Sequence, residues 1–351
     1  MSRVLDSETA TSLKKGDALT AFRAISDVLT LPSEGLLEIE ILGKSHILED
    51  GQYVLKDGLA VGVSKLGLVQ AFMVARQQLR RQLDGIKPLP DDDLFAATAV
   101  ILLFDPEYLT AANARKRLIQ SQLSGCQRDA RARLEREKRF VDSLLTSRLH
   151  RHTKSPTLWS HRRWLLGLFA SLGVSVDVVR EIRDVVSVAG ERHPRNYYAW
   201  CHARFLMGSG RDINLPAVAA EVQAWCFQHY TDISGWSFLY FLLDAESITN
   251  KGSQCPTFTE VLHLVKSLRL TNESVWVFLR TVAAAGLAGE EQYAHFLEAQ
   301  AAIFENSRLS SDQAVLRAAL EWCETYRQNI RAHPVDTNSL SSQPTAMPSK
   351  T

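Results

Sequence analysis

Histidine, cysteine, lysine and the carboxylates are the residues of this 351-residue chain that could hold a metal, attack as nucleophiles or grip a phosphate. Cys126, Cys201, Cys226, Cys255 and Cys323 are odd in number, widely spread and without a Cys-x-x-Cys pair. That argues against a disulfide framework and a zinc knuckle alike, and they read as small buried hydrophobes. His150-x-His152 with His161 is the densest imidazole group, yet no cysteine or carboxylate stands at the spacing of a catalytic zinc site, so no metal is assigned to the chain. A basic loop and a repeat-core histidine account for that group. Gly43-Lys44-Ser45 ends like a phosphate loop, but the motif needs a glycine where Glu38 stands. On these residues the chain cannot activate a thiolate by itself.

The scaffold that positions such residues is bounded by composition. Forty Lys plus Arg against 39 Asp plus Glu give a formal charge of +1, so no nucleic-acid partner is expected. Apolar residues make up 46% and aromatics 8%, enough for a large buried core. The longest apolar run, Leu94 to Phe104, has 11 residues, where a membrane span needs about 20. With no signal-peptide pattern at the N-terminus, the expectation is a soluble, cytoplasmic protein without a membrane span.

Residues 1–65 read differently from the rest. Leu37, Ile39 and Ile41 alternate with Glu38 and Glu40 at a strand period, and Asp57-Gly58 lies between short apolar runs as a tight hairpin turn would. A small β element is predicted there. From residue 66 to 331 apolar residues recur at three and four, with turn residues every 15 to 25 or so, which predicts helical hairpins. Asp91 reads as a helix cap, Pro106 as a helix start, Ser155-Pro156 as an N-cap with a first-turn proline, and Asn272 as the residue before another helix. Residues 332–351 are Ser/Thr/Pro-rich and are expected to be a disordered tail.

A repeat organises the helices. Trp159, Trp200, Trp236 and Trp276 are 41, 36 and 40 residues apart in similar surroundings, and an earlier copy running from Asp105 to Arg115 carries Ala112 in place of the tryptophan. Hairpins that cannot bury their faces alone stack, and a large ring at fixed register fills the space between neighbours. Trp159, Arg162 and Leu166 share one helical face. The arginine stem can lie on the ring and its guanidinium can reach helix-terminal carbonyls or a neighbouring carboxylate. The fold class predicted is all-α, an α/α superhelical solenoid of stacked helical hairpins.

Period alone leaves several repeat families open; the wording narrows them. Trp-x-x-Arg preceded by Asn-Tyr or Ser-Pro resembles the repeat of protein prenyltransferase α subunits, from about Pro106 to Arg280. Asn196-Tyr197-Tyr198-Ala199-Trp200 and Asn272-Glu273-Ser274-Val275-Trp276 look like that family's third and last repeats, and the stretch from Lys154 to Trp164 is similar to the second repeat of its repeat-containing branch, the α subunits of type III geranylgeranyltransferase. The resemblance implies a crescent of hairpins wrapping a separate β subunit, which holds zinc, with an isoprenoid diphosphate at the interface and a client protein offering a C-terminal cysteine. The chain itself would need no cofactor and would be inactive alone.

The same resemblance gives Lys154 the catalytic role of reaching the leaving diphosphate; a solvated pre-helix lysine is the other reading. It places Asn196, Tyr197, Tyr198, His161 and His202 toward substrate and partner. Trp159, Arg162, Trp200, Trp236, Trp276 and Arg115 become the structural repeat residues. Departures stand beside these matches: Pro156 replaces an aromatic, Tyr198 stands where many members have histidine, and Ala203 and Leu239 replace the repeat arginine. Repeats three and four are therefore expected to pack more apolarly. The helix read from Arg128 to Arg151, with eight Lys or Arg and four acids, is expected to be a charged, solvated face or a border with the partner or the lipid diphosphate. The alternative function is a non-catalytic helical scaffold.

Overall fold

The computed structural model describes residues 17–332 apart from 44, 45, 47, 50, 86–87, 124–126, 210–212 and 250–253. Cys126, the Lys44-Ser45 pair and the expected tail beyond residue 332 lie outside the described residues. The chain divides into two compact units, residues 1–221 and 222–351. Both are built of helical hairpins, and a small sheet near the N-terminus is the β element among the described residues.

In the first unit α1 (Ala18–Thr30) starts at Asp17, whose carboxylate accepts from the Leu19 and Thr20 backbone N–H groups. The sheet follows: β1 (Glu38–Leu42), β2 (Val54–Asp57) and β3 (Ala60–Ser64). Asp57-Gly58 forms the expected hairpin, with Gly58 at φ +57° and β2 antiparallel to β3. Strand β1 instead pairs parallel with β3, so the order is β1-β3-β2. Buried Ile39, Val61 and Val63 give the sheet its apolar face. The Leu37 N–H donates to Ser143 Oγ at 2.9 Å, tying this segment to the helices.

The helices of this unit are α2 (Lys65–Leu83), α3 (Asp91–Phe104), α4 (Leu109–Gln122), α5 (Gln127–Leu145), the single turn α6 (His150–Thr153), α7 (Pro156–Ser171), α8 (Val178–Glu181), α9 (Val188–Arg192) and α10 (Tyr197–Ser209). Helix α8 continues into α9 through a π-helical stretch, Ile182–Ser187. Pro90, not Asp91, takes the cap position of α3; Asp91, Asp92 and Asp93 fill its first turn, where carboxylates offset the positive helix end. Pro106 lies in a turn closed by Tyr108 N–H on Asp105 O, and the helix begins three residues later. Ser155 caps α7 as its sequence predicts, its Oγ accepting from Leu158 N–H with Pro156 in the first turn.

Helix α11 (Leu215–Gln228) runs across the division, and the second unit continues with α12 (Ile233–Thr249), α13 (Pro256–Leu268), α14 (Glu273–Ala284), α15 (Glu290–Asn306) and α16 (Ser310–Ala332). Asn272 precedes α14 as expected. Gly235 shows why a small residue stands beside Trp236: a Cβ there would come within 2.5 Å of the Trp225 ring. No described helix is long and apolar enough to cross a membrane.

Candidate functional site: the stitched repeat corners and the Lys154 turn

All four register tryptophans are buried. A buried indole N–H needs an acceptor, and three of them find it at the same place. Trp159 Nε1 donates to Thr153 O at 2.9 Å, Trp236 Nε1 to Tyr230 O at 3.1 Å and Trp276 Nε1 to Leu270 O at 2.8 Å, each time the carbonyl six residues earlier. The tryptophan thus fixes the turn that feeds its own helix.

The next repeat adds a second donor to that turn. Asn196 Nδ2 donates to Thr153 O at 2.7 Å, Ser274 Oγ to Tyr230 O at 2.6 Å, and Ser155 Oγ to Pro106 O at 3.3 Å, Pro106 being six residues before Ala112. Asn196 also donates to Ala189 O and accepts from Ala199 N–H at the start of α10.

Two residues after each tryptophan stand His161, His202, Phe238 and Phe278, all buried. His202 packs on Trp159 and Phe278 on Trp236, with centroids 5.0 Å apart in both pairs. His161, His202 and Asn196, expected to face substrate and partner, are therefore interior residues of the repeat stack. Their polar atoms serve neighbouring turns and ion pairs.

The arginine one place further on anchors a buried ionic set. Arg162 Nε donates to Asp142 Oδ1 at 2.7 Å, Nη2 to Glu181, and Nη1 to His202 Nε2 at 2.5 Å. Lys138 Nζ bridges the two acids, 2.7 Å from Asp142 and 2.8 Å from Glu181. Two cations thus face two carboxylates, the balance that burial demands. In the earlier copy Arg115 makes a two-pronged pair with Glu137 at 2.8 and 2.5 Å, lies over the Phe95 and Phe140 rings, and reaches Phe95 O. His161 Nε2 lies 2.9 Å from the same Glu137.

Burial pushes the Glu137 carboxyl up, but Arg115 and His161 outweigh it and hold it at about 2. Asp142 is likewise lowered, since Arg162 and Lys138 outweigh its burial. Burial, with Arg162, Arg163 and Lys138 adding to it, pushes His202 well below the usual imidazole range, so it stays neutral and accepts from Arg162. In repeats three and four Ala203 and Leu239 are fully buried and no such set forms on them.

The structure corrects the reading of Arg128 to Arg151 as one solvated charged helix: the helix ends at Leu145, and two of its four acids, Glu137 and Asp142, are interior. They are five residues apart, so neither shows helical periodicity against the many bases around it. The signal that could have found them is the buried arginine of each repeat, which requires a carboxylate on the helix packed beside it. Glu181 was invisible for the same reason.

Lys154 ends α6 and is exposed. Two cross-links flank it. On one side Thr153 O holds Asn196; on the other His150 Nδ1 is 3.2 Å from His193 Nδ1. Tyr197 and Tyr198 start α10 just beyond and are 67% and 39% exposed, the one pair of predicted facing residues open to a ligand or partner. His152 points inward, its Nε2 on the Leu102 and Leu103 carbonyls, so the His150, His152 and His161 side chains do not converge. No described group of three or more His, Cys, Asp or Glu could hold a metal ion.

A model of the protein prenyltransferase alpha subunit repeat matches residues 134–169. That span holds Glu137, Asp142, the Lys154 turn, Trp159 and Arg162. Those residues are similar to a protein prenyltransferase alpha-subunit repeat. A second model, described as the ECM9 middle domain, matches residues 158–268. Among curated relatives, protein prenyltransferase alpha subunit repeat-containing protein 1-B of Xenopus laevis is 29% identical over 172 residues, 43% of this chain and 37% of the relative. The repeat-containing protein 1 of Homo sapiens is 27% identical over 43% of this chain and 40% of its own length. Protein ECM9 of Saccharomyces cerevisiae is 27% identical over 52% of this chain and 48% of its own. The matched stretch spans less than half the length of each of these relatives. The matched alpha-subunit repeat is the hairpin of α5 and α7 with the turn α6 between them, so the likeness falls where the buried ion pairs and the stitched corner lie.

Proposed function

We propose that this chain is the α subunit of a heterodimeric protein prenyltransferase that transfers a geranylgeranyl group to a cysteine near the C-terminus of a client protein. A separate β subunit would bring the zinc and the lipid pocket, and the pair would work in the cytoplasm. In that reaction the thiolate sulfur bonds to the first carbon of the isoprenoid while the carbon–oxygen bond breaks and its electrons leave with the diphosphate. Negative charge grows on the leaving group, so a fixed cation beside it stabilises the transition state. The observation that supports the reading is the Lys154 turn: the Thr153 carbonyl beside it is clamped by Trp159 and by Asn196, the residue before the exposed Tyr197 and Tyr198, while Lys154 itself stays exposed.

Copurification from native cells, followed by single-turnover prenyl transfer, tests this. A zinc-bearing partner chain in stoichiometric amount and transfer by the complex are expected. Turnover by the isolated chain, or its isolation without any such partner, would overturn the proposal. The second reading, a non-catalytic helical scaffold, is favoured by one observation: Ala203 and Leu239 are buried where the repeat arginine would stand, so these repeats depart from the transferase pattern. The same copurification separates the two.

A further inference from the structure

The residue after each repeat arginine position carries a second pattern. Four places beyond the register residue stand Lys116, counted from Ala112, Arg163 from Trp159, Arg204 from Trp200 and Arg280 from Trp276; Tyr240 holds the place after Trp236. Three of these cations lie over a ring on a later helix. Lys116 Nζ is 5.6 Å from the Trp164 ring centroid, the Arg163 guanidinium 5.6 Å from Phe205 and the Arg280 guanidinium 4.6 Å from Trp322. Trp164 directly follows Arg163, and Phe205 directly follows Arg204. In the first unit, therefore, each cation rests on the aromatic residue beside the cation of the next repeat.

These are not ordinary solvated charges. Lys116, Arg163 and Arg204 are half-buried. Burial pushes the Lys116 ammonium below its usual range with no carboxylate to offset it, and Arg163 Nε is enclosed and donates to no described group. The helices that carry them, α4, α7 and α10, contain no Asp or Glu. Their cations are Arg115, Lys116, Arg117, Arg162, Arg163 and Arg204. Arg115 and Arg162 turn inward to the buried carboxylates, while among the described residues Lys116, Arg117 and Arg163 make no salt bridge. The acids just before α4 are engaged elsewhere, Asp105 by Arg151 and Glu107 by Thr157.

We infer that Lys116, Arg163 and Arg204 form a docking strip for an extended acidic segment of a partner protein, with one carboxylate set against the cation of each successive repeat. Stacking occupies the face of a guanidinium and leaves its N–H edge to grip a carboxylate. The ring also fixes the side chain beforehand, so less freedom is lost on binding. Helix α7 packs against both α4 and α10. Packed helices lie about 8 to 10 Å apart and an extended chain advances about 3.3 Å per residue, so acids at every third residue meet successive rungs. Three neighbouring helices with cations and no acid of their own present the charge that such a segment complements. The inference stands on charge and geometry and does not need the transferase reading.

The experiment uses the full chain labelled at arginine side-chain nitrogen and followed by NMR. The probe is a Gly/Ser peptide with glutamate at every third residue. It is compared at equal ionic strength with its glutamine counterpart, with a peptide whose glutamates are consecutive, and with a thymidine oligonucleotide. Expected is a saturable shift of the Arg163 and Arg204 Nε–H signals with the spaced glutamate peptide, while Arg131 and Arg180, exposed and paired within their own helices, stay unmoved. Lys116→Gln combined with Arg163→Gln should weaken binding about tenfold or more, the loss expected on removing charged hydrogen-bond partners. Arg163→Lys, which keeps the charge, should retain more binding than Arg163→Gln. All variants are also melted: a lower melting temperature with unchanged peptide affinity would make the rungs structural staples and overturn the strip. No shift with the spaced peptide, an equal shift with the glutamine peptide, or binding of the oligonucleotide alone would overturn it too. Tighter binding of the consecutive glutamates would overturn the arrangement of one carboxylate to each repeat.

Discussion

Asn196 donates its side-chain amide to the Thr153 carbonyl across 2.7 Å, joining the start of one repeat helix to the turn that opens the previous one. Because Thr153 O also accepts from Trp159, one carbonyl takes two buried donors. Ser274 on Tyr230 O, shared with Trp236, repeats the device in the second unit. The repeat is thus a hydrogen-bonded corner as much as an apolar stack, and a tryptophan is used because its ring fills space while its N–H fixes the turn.

Removing Asn196 should therefore act on stability. Asn196→Ala loses a helix cap and two buried bonds, and should cost about 2 kcal/mol, read from urea unfolding. Asn196→Asp should not rescue it, since a carboxylate oxygen would face the carbonyls of Thr153 and Ala189. A wild-type midpoint for either variant would show that the corner does not need the stitch.

The tryptophans themselves divide into two classes. Trp159→Ala or Trp276→Ala empties a buried site and should destabilise by about 3 to 5 kcal/mol. Trp322 lies over Arg280 at 4.6 Å but is 37% exposed and outside the register. Its alanine variant should fall well short of the other two, and equal losses in the three would contradict the register.

What the sequence disclosed and what it hid follow from range. The strand alternation at Leu37 to Ile41, the Asp57-Gly58 turn, the Ser155-Pro156 helix start and the tryptophan register are local signals, and all reappear in the structure. The parallel pairing of β1 with β3 is not local, since no turn between them encodes it. Nor is the partner of a buried arginine: Glu137 and Asp142 look like any acids on a basic helix until packing places Arg115 and Arg162 against them. His161 and His202 were misplaced for a related reason. A polar residue near a ligand-bearing motif resembles a site residue, whereas here it lies on the inward face of the stack.

The Arg162 set predicts a larger effect than any surface pair. Arg162→Met would leave Asp142 and Glu181 sharing Lys138 alone, and removing one member of a buried pair costs roughly 3 to 5 kcal/mol. Arg180→Met, which breaks an exposed pair with Asp184, should change stability by less than about 1 kcal/mol. Thermal melting of the two variants side by side checks this, and similar losses would mean that the Arg162 set is open to solvent.

Acid should unfold the protein in two stages with one sign. Burial pushes His152 down to about 4 from an ordinary 6.5, against its two carbonyl bonds, and His161 and His202 are lowered as well. The unfolded chain binds these protons first, so their contribution is whole above pH 6.5 and is lost as the pH falls toward 4. Glu137, held at about 2 against an ordinary 4.5, gives a further loss between those values. Urea midpoints at pH 7.5, 6 and 5 should fall steadily. His152→Gln, which keeps a donor for the Leu102 and Leu103 carbonyls, should flatten the slope between pH 6.5 and 4. An unchanged slope would mean that His152 titrates normally and is not desolvated.

Lys154 carries the sharpest test of mechanism. Its side chain is exposed, with no bond that the fold depends on, while its backbone is fixed by the Thr153 and Ser155 contacts on either side. Lys154→Ala should therefore melt like the wild type, and should still bind the partner chain, because one rim lysine adds little to a large interface. Its charge would act where the diphosphate departs, so the loss should appear in turnover rather than in substrate binding. Removing one preorganised donor lowers rates by about 10² to 10³, and sharing the task with a partner's own cations would place this variant near the lower bound. Lys154→Arg should recover part of the rate, as a longer cation at the same corner. Equal single-turnover rates for wild type and Lys154→Ala would return the residue to an ordinary solvated lysine, and loss of the partner would make it an interface contact instead.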